Sequence, residues 1–196
     1  RRLFLEEFAM SSRHHVSLTA ATRSAWFVFD KTHPSLYRIF FALVLPLSLL
    51  PPIMLYYAGT YHGDAFAPGL SDRNWAPISL LFLVAEMVTI AAMGPLIQWI
   101  AWLNAAKANL QNAYLLAFVA PLPLWLSSLG LIVPNFFFTS ALAVAAMVMA
   151  CFIIYHGVAT LLQISEDVVA GSIAYGIMAC GMVAWALLLI AVFPVS

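Results

Sequence analysis

Five long apolar runs separated by short polar breaks dominate the chain. The first covers about 36–57 and contains Pro46, Pro51 and Pro52. A polar loop over 58–76, punctuated by Gly, Pro, Asp and Asn, leads to the second run at about 77–103. A turn at 104–111 carries Lys107, and the third and fourth runs (about 113–133 and 136–155) meet at Pro134-Asn135. Residues 156–171 are less apolar and hold Glu166 and Asp167, ahead of the fifth run at about 172–193. Each run has about 20 to 23 residues, the second counted over 77–99 before a helical extension through Leu103, which is roughly 30–35 Å of helix and enough to cross the hydrocarbon core of a bilayer. In lipid the backbone polar groups must be satisfied within the element, and the runs lack the alternation of a barrel strand. The pattern predicts an all-α integral membrane protein, a bundle of five transmembrane helices.

Composition agrees. Of 196 residues 64% are hydrophobic and 8% charged, whereas a soluble domain carries about 25% charged residues. Residues 1–35 differ from the rest and form a cytoplasmic amphipathic arm, leaving 36–196 as a single transmembrane domain. The arm's aromatic cluster, Trp26, Phe27 and Phe29, ahead of His33-Pro34, suits a helix lying in the interface; a plain polar tail is the alternative. The stretch 25–29 is too short for a signal-peptide core and is interrupted by Asp30 and Lys31, so no cleavable leader is expected.

The formal net charge of zero hides an asymmetry. Arg1, Arg2, Arg13, Arg23, Lys31 and Arg38 lie before or at the start of the first run, and Lys107 falls on the same side. Only Arg73 falls on the other, so the positive-inside rule places the N-terminus in the cytoplasm and the C-terminus outside. Tyr37, Trp99, Trp102 and Tyr155 then mark one interface and Tyr57, Tyr61, Trp75 and Phe136 the other. Glu6, Glu7 and Asp30 dilute the basic arm too far for a nucleic-acid surface.

Glu86 is the residue with most chemical content. It lies about ten residues into the second run, near the bilayer midplane, where an ionised carboxylate costs at least a few kcal/mol unless neutralised, paired or wetted. No Lys or Arg lies at its depth. It is a candidate intramembrane proton or ion site, or a hydrogen-bonded link between helices. Pro46, Pro51, Pro95, Pro121 and Pro123 are candidate helix breakers, each removing a backbone donor. Such breaks expose backbone groups to substrates in transporters, and elsewhere they serve as simple kinks. Ser172, Gly176, Cys180 and Ala184 recur at spacing four and present a small-residue face for close helix packing, as do Ala141 and Ala145, and Ala146 and Ala150. Cys151 and Cys180 lie in apolar runs and read as small buried residues without a disulfide. His14, His15, His33, His62 and His156 lack metal-ligand spacing, so no metal site is expected. A polar cluster of His156 with Glu166 and Asp167 is conceivable, a solvated loop being the simpler expectation. The chain has no phosphate-binding glycine loop, nucleophile elbow or CxxC, and no enzyme activity or cofactor is expected.

The layout resembles a known family. A tryptophan-containing arm ends in Pro34 just before the first span; Met93-Gly94 in the second span leads to Trp99 and Trp102; Ala113 to Pro121 opens the third; and Ile154-Tyr155-His156-Gly157 closes the fourth. Together these are similar to the bacterial branch of the Yip (Ypt/Rab-GTPase-interacting protein) family, over about 25–193. The resemblance implies a five-span inner-membrane protein without a sharp catalytic motif. Eukaryotic relatives bind small GTPases, a role not carried over here. Two functions remain open. One is a contact protein, meeting the lipid bilayer and another membrane protein or a second copy of itself, as accessory subunit, assembly factor or membrane organiser. The other is a small oligomeric transporter or channel using Glu86. A membrane-embedded enzyme is a weak third.

Overall fold

A computed structural model describes residues 35–164 and 166–192 of the chain. The arm, with Trp26, Phe27, Phe29, His14, His15 and His33, lies outside the described residues. Among the described residues regular structure is helical throughout, and five helices are long and apolar enough to span a membrane: α1 Leu36–Phe66, α2 Trp75–Leu103, α3 Leu110–Ile132, α4 Phe136–Leu161 and α5 Asp167–Val192.

The helix starts follow from their cap residues. Asn74 accepts from the Ala76 N–H at 3.3 Å, Asn109 from Gln111 at 3.0 Å and Asn135 from Phe138 at 3.0 Å. Each asparagine satisfies a donor that would otherwise lie bare at the edge of the bilayer, at α2, α3 and α4. Asp167 puts a negative charge in the first turn of α5, against the positive end of the helix dipole.

Two helices run past the polar stretches expected to end them. α1 continues from Ala58 to Phe66, through residues expected in the loop 58–76. Gly59 and Gly63, which read as loop punctuation, are instead close-approach positions on one helix face. A Cβ at Gly59 would collide with the Trp75 indole, and one at Gly63 would lie 2.6 Å from the Ser71 nitrogen. The chain folds back over these glycines: Trp75 donates its indole N–H to Leu70 O at 2.7 Å, and Asp64 Oδ1 accepts from the Gly69 N–H at 2.9 Å. Trp75 is therefore buried, at 3% exposure, and is not the interface anchor that its place in the sequence predicts. Likewise α4 continues through His156 to Leu161, and α5 begins at Asp167, ahead of the expected 172.

α2 packs against α1, α3 and α5; α3 packs against α1, α2 and α4; and α4 also meets α5. α2 and α3 thus form the centre of the bundle. Their contact with α1 holds a core of Val44, Ile90, Phe118 and Trp125. Tyr37, Val88, Trp102, Phe137 and Val148 are exposed on its surface, as suits a protein solvated by lipid.

The prolines are absorbed without opening the spans. In α1 a π-helical turn, Phe40–Val44, precedes Pro46, and its wider bore relieves the clash of the proline ring with the previous turn. Pro51 and Pro52 occupy the first turn of the next segment, Leu50–Phe66, and are buried, at positions where a missing N–H is least costly. Pro95 lies inside the unbroken α2. α1 is interrupted at Leu49, and α3 is divided into Leu110–Val119, Leu122–Ser127 and a 3-10 turn Ser128–Ile132, with Pro121 at the joint.

Candidate functional site

Buried positions of α2 recur at Ser79, Glu86, Ile90, Gly94, Ile97 and Ala101, one face of a 3.6-residue helix turned towards the bundle. Glu86 is 5% exposed. It lines a cavity of about 170 Å³ into which all five helices project, with Pro51 from α1, Trp125 from α3, Met147 and Cys151 from α4, and Met178 from α5. The Trp125 side chain lines the same cavity beside the carboxyl group. Glu86 Oε2 is buried with no hydrogen-bond partner. No lysine, arginine or histidine lines the cavity. Thr89 also lines it, but its hydroxyl donates to Ala85 O at 2.8 Å, within its own helix. The walls are therefore apolar and rich in sulfur and aromatic groups, with one buried carboxyl oxygen left without a partner.

The second construction lies two turns further along α2. Pro95 has no N–H, so the carbonyl of Ala91 loses its helical donor. The hydroxyl of Tyr114, from α3, donates to that carbonyl at 3.2 Å. Gly94 makes the approach possible, because a Cβ there would collide with the Tyr114 ring. The Tyr114 ring continues onto Phe118 (centroids 5.8 Å apart), and Phe118 onto Phe40 of α1 (5.9 Å). Tyr114 has no mark in the sequence beyond being aromatic. The nearest signal is Gly94-Pro95 itself, which announces a narrow, donor-deficient notch without saying what fills it.

The family model of the Yip1 domain matches residues 17–188. The chain belongs to the Yip1 domain family. No curated protein and no solved structure matches it. The match covers α1 to α4 and most of α5, so both the Glu86 cavity and the Gly94-Pro95 notch lie within the Yip1 domain.

The small-residue face of this Yip1 domain is divided among three tasks. Ser172 donates its hydroxyl to Asn104 Oδ1, at the end of α2, at 3.0 Å. A Cβ on Gly176 would lie 3.2 Å from a methyl carbon of Ile100, so Gly176 allows α5 its close approach to α2. Ala184 lines the cavity, and Cys180 is partly exposed and unpaired. On α4, Ala146 and Ala150 are buried. Asn112 of α3 donates to Leu161 O at 2.8 Å and satisfies a carbonyl at the end of α4.

Among the described residues no group of three or more His, Cys, Asp or Glu side chains could hold a metal ion. His62 packs on Tyr57. His156 Nδ1 lies 3.0 Å from Phe152 O with its ring against the Phe152 ring, centroids 4.1 Å apart. That placement ties His156 to its own helix.

Proposed function

We propose that this Yip1 domain is a non-enzymatic membrane protein acting through helix–helix contact, as an accessory subunit, assembly factor or membrane organiser. It belongs to the bacterial branch of the family, similar to the inner-membrane protein YohC, and sits in the cytoplasmic membrane with its N-terminus inside. The observation that carries the reading is the Tyr114–Ala91 bond. A carbonyl freed by a proline is the group that a broken-helix transporter offers to substrate, and here a neighbouring helix takes it. Polar groups such as Ser172, Asn104 and Asn112 likewise join one helix to another. The exposed apolar faces leave the bilayer as the place where a partner protein, or a second copy of the chain, is met.

Native purification in a mild detergent, with assembly mass and co-purifying proteins measured by mass spectrometry, tests this. A stoichiometric membrane partner, cross-linked to the same helices in intact cells, is the expected result. A pure homo-oligomer that conducts an ion would overturn it in favour of the second reading, a small oligomeric transporter. One observation favours that alternative: Glu86 lines a cavity between the helices, and its buried Oε2 has no hydrogen-bond partner. Flux across vesicles that disappears in Glu86→Gln would establish it, and flux unchanged by that substitution would remove Glu86 from any ion path.

A further inference from the structure

The cavity beside Glu86 has a size, a lining and one unmet polar requirement, and together these define a ligand class independent of any partner. Glu86 is more than nine-tenths buried and its Oε2 has no hydrogen-bond partner. We propose that this cavity binds a lipid-soluble phenol, an aromatic ring bearing a hydroxyl, with the hydroxyl on Glu86 Oε2 and the ring among the sulfur-bearing side chains.

The hydroxyl is singled out by what a carboxyl oxygen can do. An ionised carboxylate only accepts hydrogen bonds, whereas a protonated carboxyl group also donates one. A phenolic hydroxyl both donates and accepts and meets Oε2 in either state. A carbonyl can only accept and meets the protonated state alone, and an ammonium would bring a charge that the apolar walls do not solvate. Water shares this versatility, but a buried water typically makes about three hydrogen bonds. The Thr89 hydroxyl is already engaged with Ala85 O, and the lining is otherwise overwhelmingly apolar. A phenol needs only the one polar contact and fills the remaining space with its ring.

The ring is singled out by the walls. Met93, Met147, Met178, Met182 and Cys151 line the cavity together with Trp125. Thioethers make favourable contacts with aromatic rings and adapt their shape to an occupant. The volume of about 170 Å³ is comparable to the apolar cavity of about 150 Å³ that takes up benzene. The cavity lies between membrane-spanning helices, so its ligand arrives from the lipid and must be soluble there. An isoprenoid quinol of the membrane and a small free phenol share this chemistry.

The test uses the full chain in lipid nanodiscs, with 4-propylphenol and propylbenzene as probes compared at equal mole fraction in the lipid. Binding is read by saturation-transfer NMR titration. 4-Propylphenol should bind about tenfold more tightly than propylbenzene, the effect of one buried hydrogen bond. Glu86→Leu should bring the two probes level. Ala150→Leu, which fills the cavity from α4 and leaves the carboxyl group in place, should abolish both; thermal melting of each variant confirms that it is folded. A decyl-tailed benzoquinol that binds more tightly than 4-propylphenol identifies a membrane quinol as the source, and one that binds no better identifies a small free phenol. Equal affinity of the two first probes for the unmodified protein would reduce the cavity to an apolar void and overturn the proposal. So would a hydroxyl preference that survives in Glu86→Leu, or the absence of binding by either probe.

Discussion

Gly94, Pro95 and Tyr114 divide one structural task among three residues: a freed carbonyl, a notch to reach it and a hydroxyl to satisfy it. Tyr114→Phe keeps the ring and removes the hydroxyl, and should destabilise the bundle by about 1 kcal/mol, the scale of a hydrogen bond between membrane helices. Gly94→Ala should cost more, about 1–3 kcal/mol, since the Tyr114 ring must move aside and the hydrogen bond moves with it. Gly171→Ala is the matched control. Nothing lies within 4 Å of a Cβ there, so the gain in helix propensity, up to about 1 kcal/mol, is unopposed. Thermal unfolding of the three variants in one detergent orders them. If Gly94→Ala melts no lower than Gly171→Ala, the notch does not exist. Glu86 was legible from its depth in the second apolar run, because an intramembrane carboxylate is costly enough to be rare. Trp125 and Tyr114 were not, since an aromatic residue in a membrane helix is ordinary wherever it falls and only a neighbour across the bundle gives it a task.

At the scale of the element, hydropathy located all five helices and misjudged three of their ends, the last turns of α1 and α4 and the start of α5. The segment from Ala58 to Phe66 is too polar to resemble a span, yet it is helical because its backbone bonds continue and its glycine face receives the returning chain. Gly63→Ala places a methyl group against the backbone at Leu70 and Ser71, which yields less readily than the tip of a flexible side chain. We expect the corner to open, and trypsin to cut after Arg73 several times faster than in the unmodified protein. Cleavage at the unmodified rate would show that the corner tolerates the methyl group. The α2–α5 contact is testable in the same way. Gly176→Leu drives a branched side chain against Ile100, and overpacking of this kind costs about 1–3 kcal/mol. Undiminished thermal stability would mean that α5 is not held against α2 through this face. The sequence marked Gly176 by its spacing with Ser172, Cys180 and Ala184, but spacing does not say which helix a face meets.

For the whole molecule the open matter is how the bundle sits in its membrane. Asp72, on the loop between α1 and α2, and Lys107, on the loop between α2 and α3, are both exposed and lie at opposite ends of α2. In a chain with Cys151 and Cys180 replaced by alanine, Asp72→Cys should react with a membrane-impermeant maleimide on intact cells. Lys107→Cys should react only after the membrane is opened. The opposite pattern would reverse the orientation drawn from the basic residues.

What the sequence determined by itself was the solvent and the secondary structure. A chain with 64% hydrophobic and 8% charged residues, in runs of membrane-spanning length, has lipid as its only workable surroundings. Lipid leaves the backbone no alternative to internal hydrogen bonding, so the helices followed without knowledge of their neighbours. The asparagine caps at 74, 109 and 135 belong to the same local logic. Everything that depends on which helix faces which was decided by the tertiary structure. Lipid tails are as apolar as leucine, so hydrophobicity does not sort one helix face from another. Close approach at glycines and the pairing of stray polar groups do that sorting, and both are properties of two surfaces together. The Tyr114–Ala91 bond, the burial of Trp75 and the unpartnered oxygen of Glu86 are for that reason features of the folded bundle alone.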